Sequence, residues 1–163
     1  EIAKGEAGYI GVKINSLTDK DIIKKLIEAS QAGVQVELIV RGICCLKPQV
    51  PGETDHITVI SVVGRFLEHS RIYRFGRGEE EKLFISSADF MTRNTLRRVE
   101  VAAPVYDEAA KDRLRHIFDT VMRDDEKGKE QTADGSYVDR HINPEPLNSQ
   151  EVFYEEAYQA AKN

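Results

Sequence analysis

The sequence predicts a single α/β domain, a mixed sheet flanked by helices, on three observations. A β-rich run, an amphipathic helix and a second β-rich run fill residues 9–40. A charged hairpin pattern occupies the middle of the chain, and two further helical periodicities close it. A length of 163 residues suits one domain with a real core.

Residues 9–14 (YIGVKI) read as a strand, and residues 15–18 as a polar turn whose last residue, Thr18, caps a helix. Over residues 19–32, Ile22, Leu26 and Ala29 share one face while Lys20, Lys24, Lys25 and Glu28 point outward, the 3.6-residue period of an amphipathic helix. Gly33 stops it, and residues 34–40 (VQVELIV) form a second strand, a right-handed parallel crossover if both strands share a sheet. Residues 41–55, with Gly42, Pro48, Pro51 and Gly52, make a loop leaving a strand end, where open α/β sheets bind ligands.

Residues 57–63 are a further strand, 64–68 a turn, and 69–75 (HSRIYRF) extended. Gly76, Gly78 and the acidic triplet Glu79 to Glu81 read as a solvated hairpin tip, from which residues 82–86 return. The last strand is expected over residues 97–103, closed by Pro104. A second amphipathic helix over residues 107–124 presents Ala110, Leu114, Ile117, Phe118 and Val121 to the sheet. The domain is therefore expected over residues 1–125. Residues 126–163 are expected to be a polar linker, mobile or partner-dependent and outside the core, followed by a helix that Ser149 caps.

Composition narrows the function classes. With 40% hydrophobic and 31% charged residues the chain is globular in type, and no apolar run approaches the roughly 20 residues that span a bilayer. The net charge of −5 argues against nucleic acid as a partner. The charge is uneven, however: residues 41–98 hold ten Lys or Arg against seven Asp or Glu, a local excess of three cations. Cys44 and Cys45 are adjacent and have no second pair, which fits reduced thiols in a cytoplasmic compartment. The chain starts at Glu1 without a basic and apolar leader, and is expected to be a fragment of a longer protein.

No GxxxxGK[ST] loop, HExxH helix or GxSxG elbow is present, and Gly76-Arg77-Gly78 lacks the helix a dinucleotide fingerprint needs. What remains is a set of basic groups at strand ends. His69, Arg71 and Tyr73 alternate along an expected strand, so an imidazole and a guanidinium share a face. The first can move a proton near neutral pH and the second can hold phosphoryl oxygens. Arg41 stands at the mouth of another strand, and Arg98 alternates with Glu100 on a third. Ser86-Ser87-Ala88-Asp89, with Arg93 and Asn94 beyond, adds hydroxyl and amide donors. His56, His116 and His141 read as ordinary loop or surface histidines.

Four ordered strings carry a resemblance: Lys13-Ile14-Asn15-Ser16-Leu17; Ile39-Val40-Arg41-Gly42-Ile43-Cys44-Cys45-Leu46; Gly64-Arg65-Phe66-Leu67-Glu68-His69-Ser70-Arg71; and Ser86-Ser87-Ala88-Asp89-Phe90-Met91-Thr92-Arg93-Asn94, ending in Arg98-Val99-Glu100-Val101. Over residues 9–125 the chain resembles the last catalytic domain of polyphosphate kinases of the first type. Lys47, Gln49 and Phe90 depart from the family's usual Arg, Gly and Trp. The resemblance implies a phospholipase D-like fold and reversible transfer of the ATP γ-phosphate to polyphosphate, with Mg²⁺, through a phosphohistidine on the preceding domain. Carried over by residue, His69 would be the second active-site histidine, Arg41 would bind ATP phosphates beside it, and Arg98 would be a further phosphate ligand. Arg71, Arg93 and Asn94 would support them. No metal ligand is expected in this chain, so the Mg²⁺ ligands would lie outside it. ATP or ADP, polyphosphate and the preceding catalytic domain would be its partners, within a full-length homo-oligomer, and the fragment alone would make no polyphosphate.

Two alternatives stand beside that reading. A phospholipase D-type phosphodiesterase uses two His-x-Lys motifs, whereas this chain has one such motif and it reads His69-Ser70-Arg71. A non-catalytic module would bind anions with His69 merely structural.

Overall fold

The computed structural model describes residues 1–162. Chain order gives strands β1 (Tyr9–Ile14), β2 (Gln35–Val40), β3 (Ile57–Val62), β4 (Ile72–Phe75), β5 (Lys82–Ser86), β6 (Ala102–Val105), β7 (Gly128–Gln131) and β8 (Tyr137–Asp139). The helices are α1 (Lys20–Gln31), α2 (Thr92–Arg97), α3 (Glu108–Met122) and α4 (Ser149–Ala160). All eight strands form one sheet in the order β6-β5-β4-β1-β2-β3-β7-β8. β1, β2 and β3 run parallel, and every other pairing is antiparallel. The expected mixed sheet is therefore present, with the β1-α1-β2 crossover at its centre.

The crossover forms for local reasons. The helix cap is Asp19 rather than the expected Thr18: its carboxylate accepts from the amides of Asp21 and Ile22, both at 3.1 Å. Gly33, at φ +92°, takes the left-handed conformation that ends the helix. One face of the sheet packs Ile10, Val12, Ile14, Val36, Leu38, Val40 and Val59 against Leu26 and Ala29 of α1. The other packs Ile39 and Ile60 against Phe118 and Val121 of α3, with Phe153 of α4 alongside. Gly11 lies on that second face because a Cβ there would come 3.0 Å from the Phe118 ring. No helix among the described residues is long and apolar enough to cross a membrane.

Several expectations are corrected. The linker expected from residue 126 carries β7 and β8, which extend the sheet beyond β3. Asp124 drives this: fully buried, its carboxylate accepts from the amides of Lys127 (2.8 Å), Gly128 (3.1 Å) and Ser149 (2.7 Å). It thereby ties the hairpin to the start of α4, the helix expected there, whose cap is Asn148 rather than the expected Ser149. The strand expected at residues 97–103 is the end of α2 followed by an extended segment, and β6 contains Pro104 rather than stopping at it. An edge strand tolerates the missing N–H. Glu81, expected in a solvated tip, is buried between Arg74 and Arg115.

Candidate active site

Strand direction gathers the site. β1 and β2 are parallel, so Asn15 and Arg41 leave the sheet side by side, the Gly42 amide bonding the Asn15 carbonyl at 2.7 Å. β4 runs the other way and β5 returns, so residues just before β4 and just after β5 reach the same end. His69 and Arg71 do not lie on a strand as expected, because β4 starts at Ile72. Beyond the Lys13–Ile72 pair, β1 offers no ladder: the Asn15 amide turns to the Asp89 carboxylate at 2.7 Å. Side chains therefore do most of the holding from residue 63 to residue 70, while the Arg71 carbonyl takes the Ser86 amide at 3.2 Å.

Arg41 donates Nη1 to the Glu68 carbonyl (2.7 Å) and Nε and Nη2 to Asn15 Oδ1 (3.0 and 2.7 Å). Its Nη2 also stands 3.2 Å from His69 Nδ1. On the ring's other side Arg71 Nη2 lies 2.7 Å from His69 Nε2, while Arg71 pairs with both oxygens of Asp89 (2.9 and 3.1 Å). Beneath them the buried Lys13 ammonium meets the Glu68 carboxylate and the Ser70 carbonyl, the latter at 3.1 Å. The Glu68 carboxylate in turn takes the Ser70 amide at 2.9 Å, fixing the turn that presents His69.

The cluster is short of negative charge. Three cations, Lys13, Arg41 and Arg71, face two carboxylates, Glu68 and Asp89. Burial with the Arg71 and Arg41 charges lowers the His69 imidazole below its ordinary 6.5, although Asp89 pulls the other way. Burial, with the same two guanidiniums, brings the Lys13 ammonium down to about 8. A guanidinium only donates, and a neutral imidazole accepts at one nitrogen, so one of the two His69 contacts sets N–H against N–H. An anion bridging His69 and the arginines relieves that conflict, and phosphate oxygens match the guanidinium fork.

Comparison with known proteins shows the family. Residues 1–150 match the family of the polyphosphate kinase C-terminal domain 2. The chain belongs to that family. A polyphosphate kinase from Staphylococcus epidermidis is 52% identical over 150 residues, 92% of this chain and 20% of that protein. The crystal structure of polyphosphate kinase from Porphyromonas gingivalis superposes with a TM-score of 0.90 at 38% identity, covering 99% of this chain and 25% of that one. A phospholipase D family member, Nuc from Salmonella typhimurium, aligns over 80% of this chain and 88% of its own with a TM-score of 0.54 at 15% identity, a likeness of fold alone. The polyphosphate kinase-like domain thus has the phospholipase D-like architecture expected of it. It spans about a fifth of the length of the curated relatives it matches.

Within this polyphosphate kinase domain, Arg41, His69 and Arg71 come together as expected and the other candidates do not join them directly. Arg98 is the exposed residue that ends α2, not a strand residue sharing a face with Glu100. It lines a separate cavity of about 330 Å³ with Tyr73, Asp89, Asn94 and Glu100. Asn94 is buried and donates to the Glu100 carboxylate, and Arg93 is exposed on the same short helix. Sequence reasoning missed Lys13, Asn15 and Glu68. The signals were Lys13 itself, a lone charge in an otherwise apolar strand, and the place of all three residues in the strings that carry the resemblance.

Proposed function

We propose that this domain is one half of a phosphoryl-transfer site, acting in a longer polyphosphate kinase that moves the ATP γ-phosphate reversibly to polyphosphate. The observation that carries the reading is the cation excess around His69, flanked on both ring nitrogens by arginines. Transfer of a phosphoryl group needs positioning and charge neutralisation more than covalent help from this side. Arg41 and Arg71 hold the phosphate oxygens. His69, neutral in the free site, gains a proton as phosphate charge arrives and hydrogen-bonds the oxygen that leaves with ADP. The new N–P bond forms at a histidine of the preceding domain as the P–O bond to ADP breaks.

Family resemblance also implies Mg²⁺. Among the described residues no group of three His, Cys, Asp or Glu side chains converges, and Glu68 and Asp89 are engaged by Lys13 and Arg71. Mg²⁺ would be held by the bound phosphates and by ligands outside this chain. A facing domain is supported by exposed apolar side chains around the same sheet end: Ile43, Val63, Leu67, Leu96, Val99 and Val101. Free thiols at Cys44 and Cys45 fit a reducing, cytoplasmic setting.

The test is His69→Ala in the full-length parent. The kinase reading expects ATP-dependent chain growth to fall by about 10²- to 10⁴-fold. Undiminished growth would leave only an anion-binding module. Steady chain growth by the isolated 163-residue chain would overturn the placement of the phosphohistidine on another domain.

A further inference from the structure

Residues 63–71 carry Glu68 and His69 without strand or helix of their own, and their far shoulder rests on α4, where the Phe66 ring stacks on Tyr154 at 6.4 Å and the Phe66 backbone meets Gln150. Gln150 accepts the Phe66 amide at Oε1 and donates Nε2 to the Phe66 carbonyl, both at 2.8 Å, a side-chain copy of one sheet rung. It is 8% exposed, and the approach is close enough that a Cβ on Gly64 would lie 2.5 Å from its Oε1. Gln150 is itself fixed. Its amide bonds Asn148 Oδ1 at 3.1 Å, and its neighbour Ser149 gives both amide and hydroxyl to the buried Asp124 carboxylate, at 2.7 and 2.6 Å. On its inner side Gln150 shares a cavity of about 30 Å³ with Lys13, Arg41, Glu68 and His69.

We propose that Gln150 is a positioning residue for His69: through Phe66 it sets the loop that places the imidazole between Arg41 and Arg71, so α4 is a working part of the site. Beside the Arg41 bond to the Glu68 carbonyl and the Arg71 pair with Asp89, two further anchors bracket His69. Lys13, with the Glu68 carboxylate, fixes the residue before it from below, and Gln150 fixes the loop two residues earlier from the side. Releasing either loosens the ring's placement against the burial and the guanidiniums that depress its proton affinity. The kinetic consequence rests on the phosphoryl-transfer reading, whereas the geometric one does not.

The experiment compares wild type, Gln150→Glu, Gln150→Ala and Gly64→Ala, following His69 ring titration by NMR in the 163-residue chain and kcat and KM for ATP in the full-length parent. Gln150→Ala is expected to raise the His69 midpoint towards the ordinary histidine value. It should also lower kcat by on the order of 10²-fold, the scale of a small misplacement of a reacting group, with KM changed less. Gln150→Glu keeps the acceptor for the Phe66 amide and should fall between. Gly64→Ala, whose methyl would meet the Gln150 carboxamide and displace it from Phe66, should shift His69 the same way and serves if Gln150→Ala does not fold. An unchanged His69 midpoint in folded Gln150→Ala or Gly64→Ala protein would overturn the proposal. A shifted midpoint with unchanged kcat would support the positioning and overturn the kinase role of His69.

Discussion

The two ends of β4 each hold an arginine cluster, and they do opposite things. Arg71, before the strand, faces a site where three cations meet two carboxylates and a histidine ring touches guanidinium on both sides. Arg74, three residues on, is shut in: it pairs with Glu81 at 2.9 Å and Asp119 at 2.5 Å and stacks over Phe118 at 5.0 Å. There Arg74, Arg77, Lys111 and Arg115 are matched by Glu37, Glu79, Glu81, Glu108 and Asp119 around a cavity of about 810 Å³. The larger cavity is the electrostatically closed one. Local stoichiometry of charge, not the size of the hollow, distinguishes the cluster proposed to take an anion from the one that holds the fold.

The sharpest way to break this contrast is to remove one charged group from each end. Arg41→Ala should cost phosphoryl transfer by the full-length protein on the order of 10³-fold, because a phosphate clamp is lost where charge must be neutralised, with the melting temperature little changed. Glu81→Gln should do the reverse. It strips a buried carboxylate from Arg74 and Arg115 and should lower unfolding free energy by about 3 kcal/mol in urea titration while sparing turnover per folded molecule.

Lys13 offers a subtler test, because its two consequences have opposite signs. With the folded ammonium at about 8 and the unfolded one near the ordinary 10.5, the unfolded chain holds a proton that the folded chain has released between those values. Stability should therefore rise with pH through that window, whereas tripolyphosphate affinity should fall as the cluster loses a cation. Lys13→Met should flatten both slopes, measured by urea titration and calorimetry. The smallest effect is expected at Arg98. It is exposed and screened, so Arg98→Ala should raise KM for ATP less than about tenfold, leaving kcat nearly unchanged.

How much of this was legible in the sequence follows from the range of each interaction. The β1-α1-β2 crossover was readable because periodicity, a cap region and Gly33 all act locally. Arg41, His69 and Arg71 were readable as chemistry at strand ends, although the alternation that grouped His69 with Arg71 is not what brings them together: a loop does. Lys13 meets Glu68 across 55 residues and Gln150 meets Phe66 across 84, so nothing local announced either. Glu81 looked like a solvated tip because an acidic triplet carries no mark of the arginines that topology will bring to it. The polar stretch after residue 124 misled for the same reason, since a buried Asp124 satisfies its backbone from within.

The most direct test of the central claim is an NMR titration of the 163-residue chain with tripolyphosphate, following the ring signals of His69 and of Tyr9 at the opposite sheet end. The charge-deficit account predicts that His69 shifts saturably and that its midpoint rises as the anion binds. It also predicts that Tyr9, beside Arg74 and Arg77, stays still, and that Arg41→Ala abolishes the His69 response. A His69 signal that does not move while Tyr9 does would contradict the account, placing the anion site in the cluster assigned here to holding the fold.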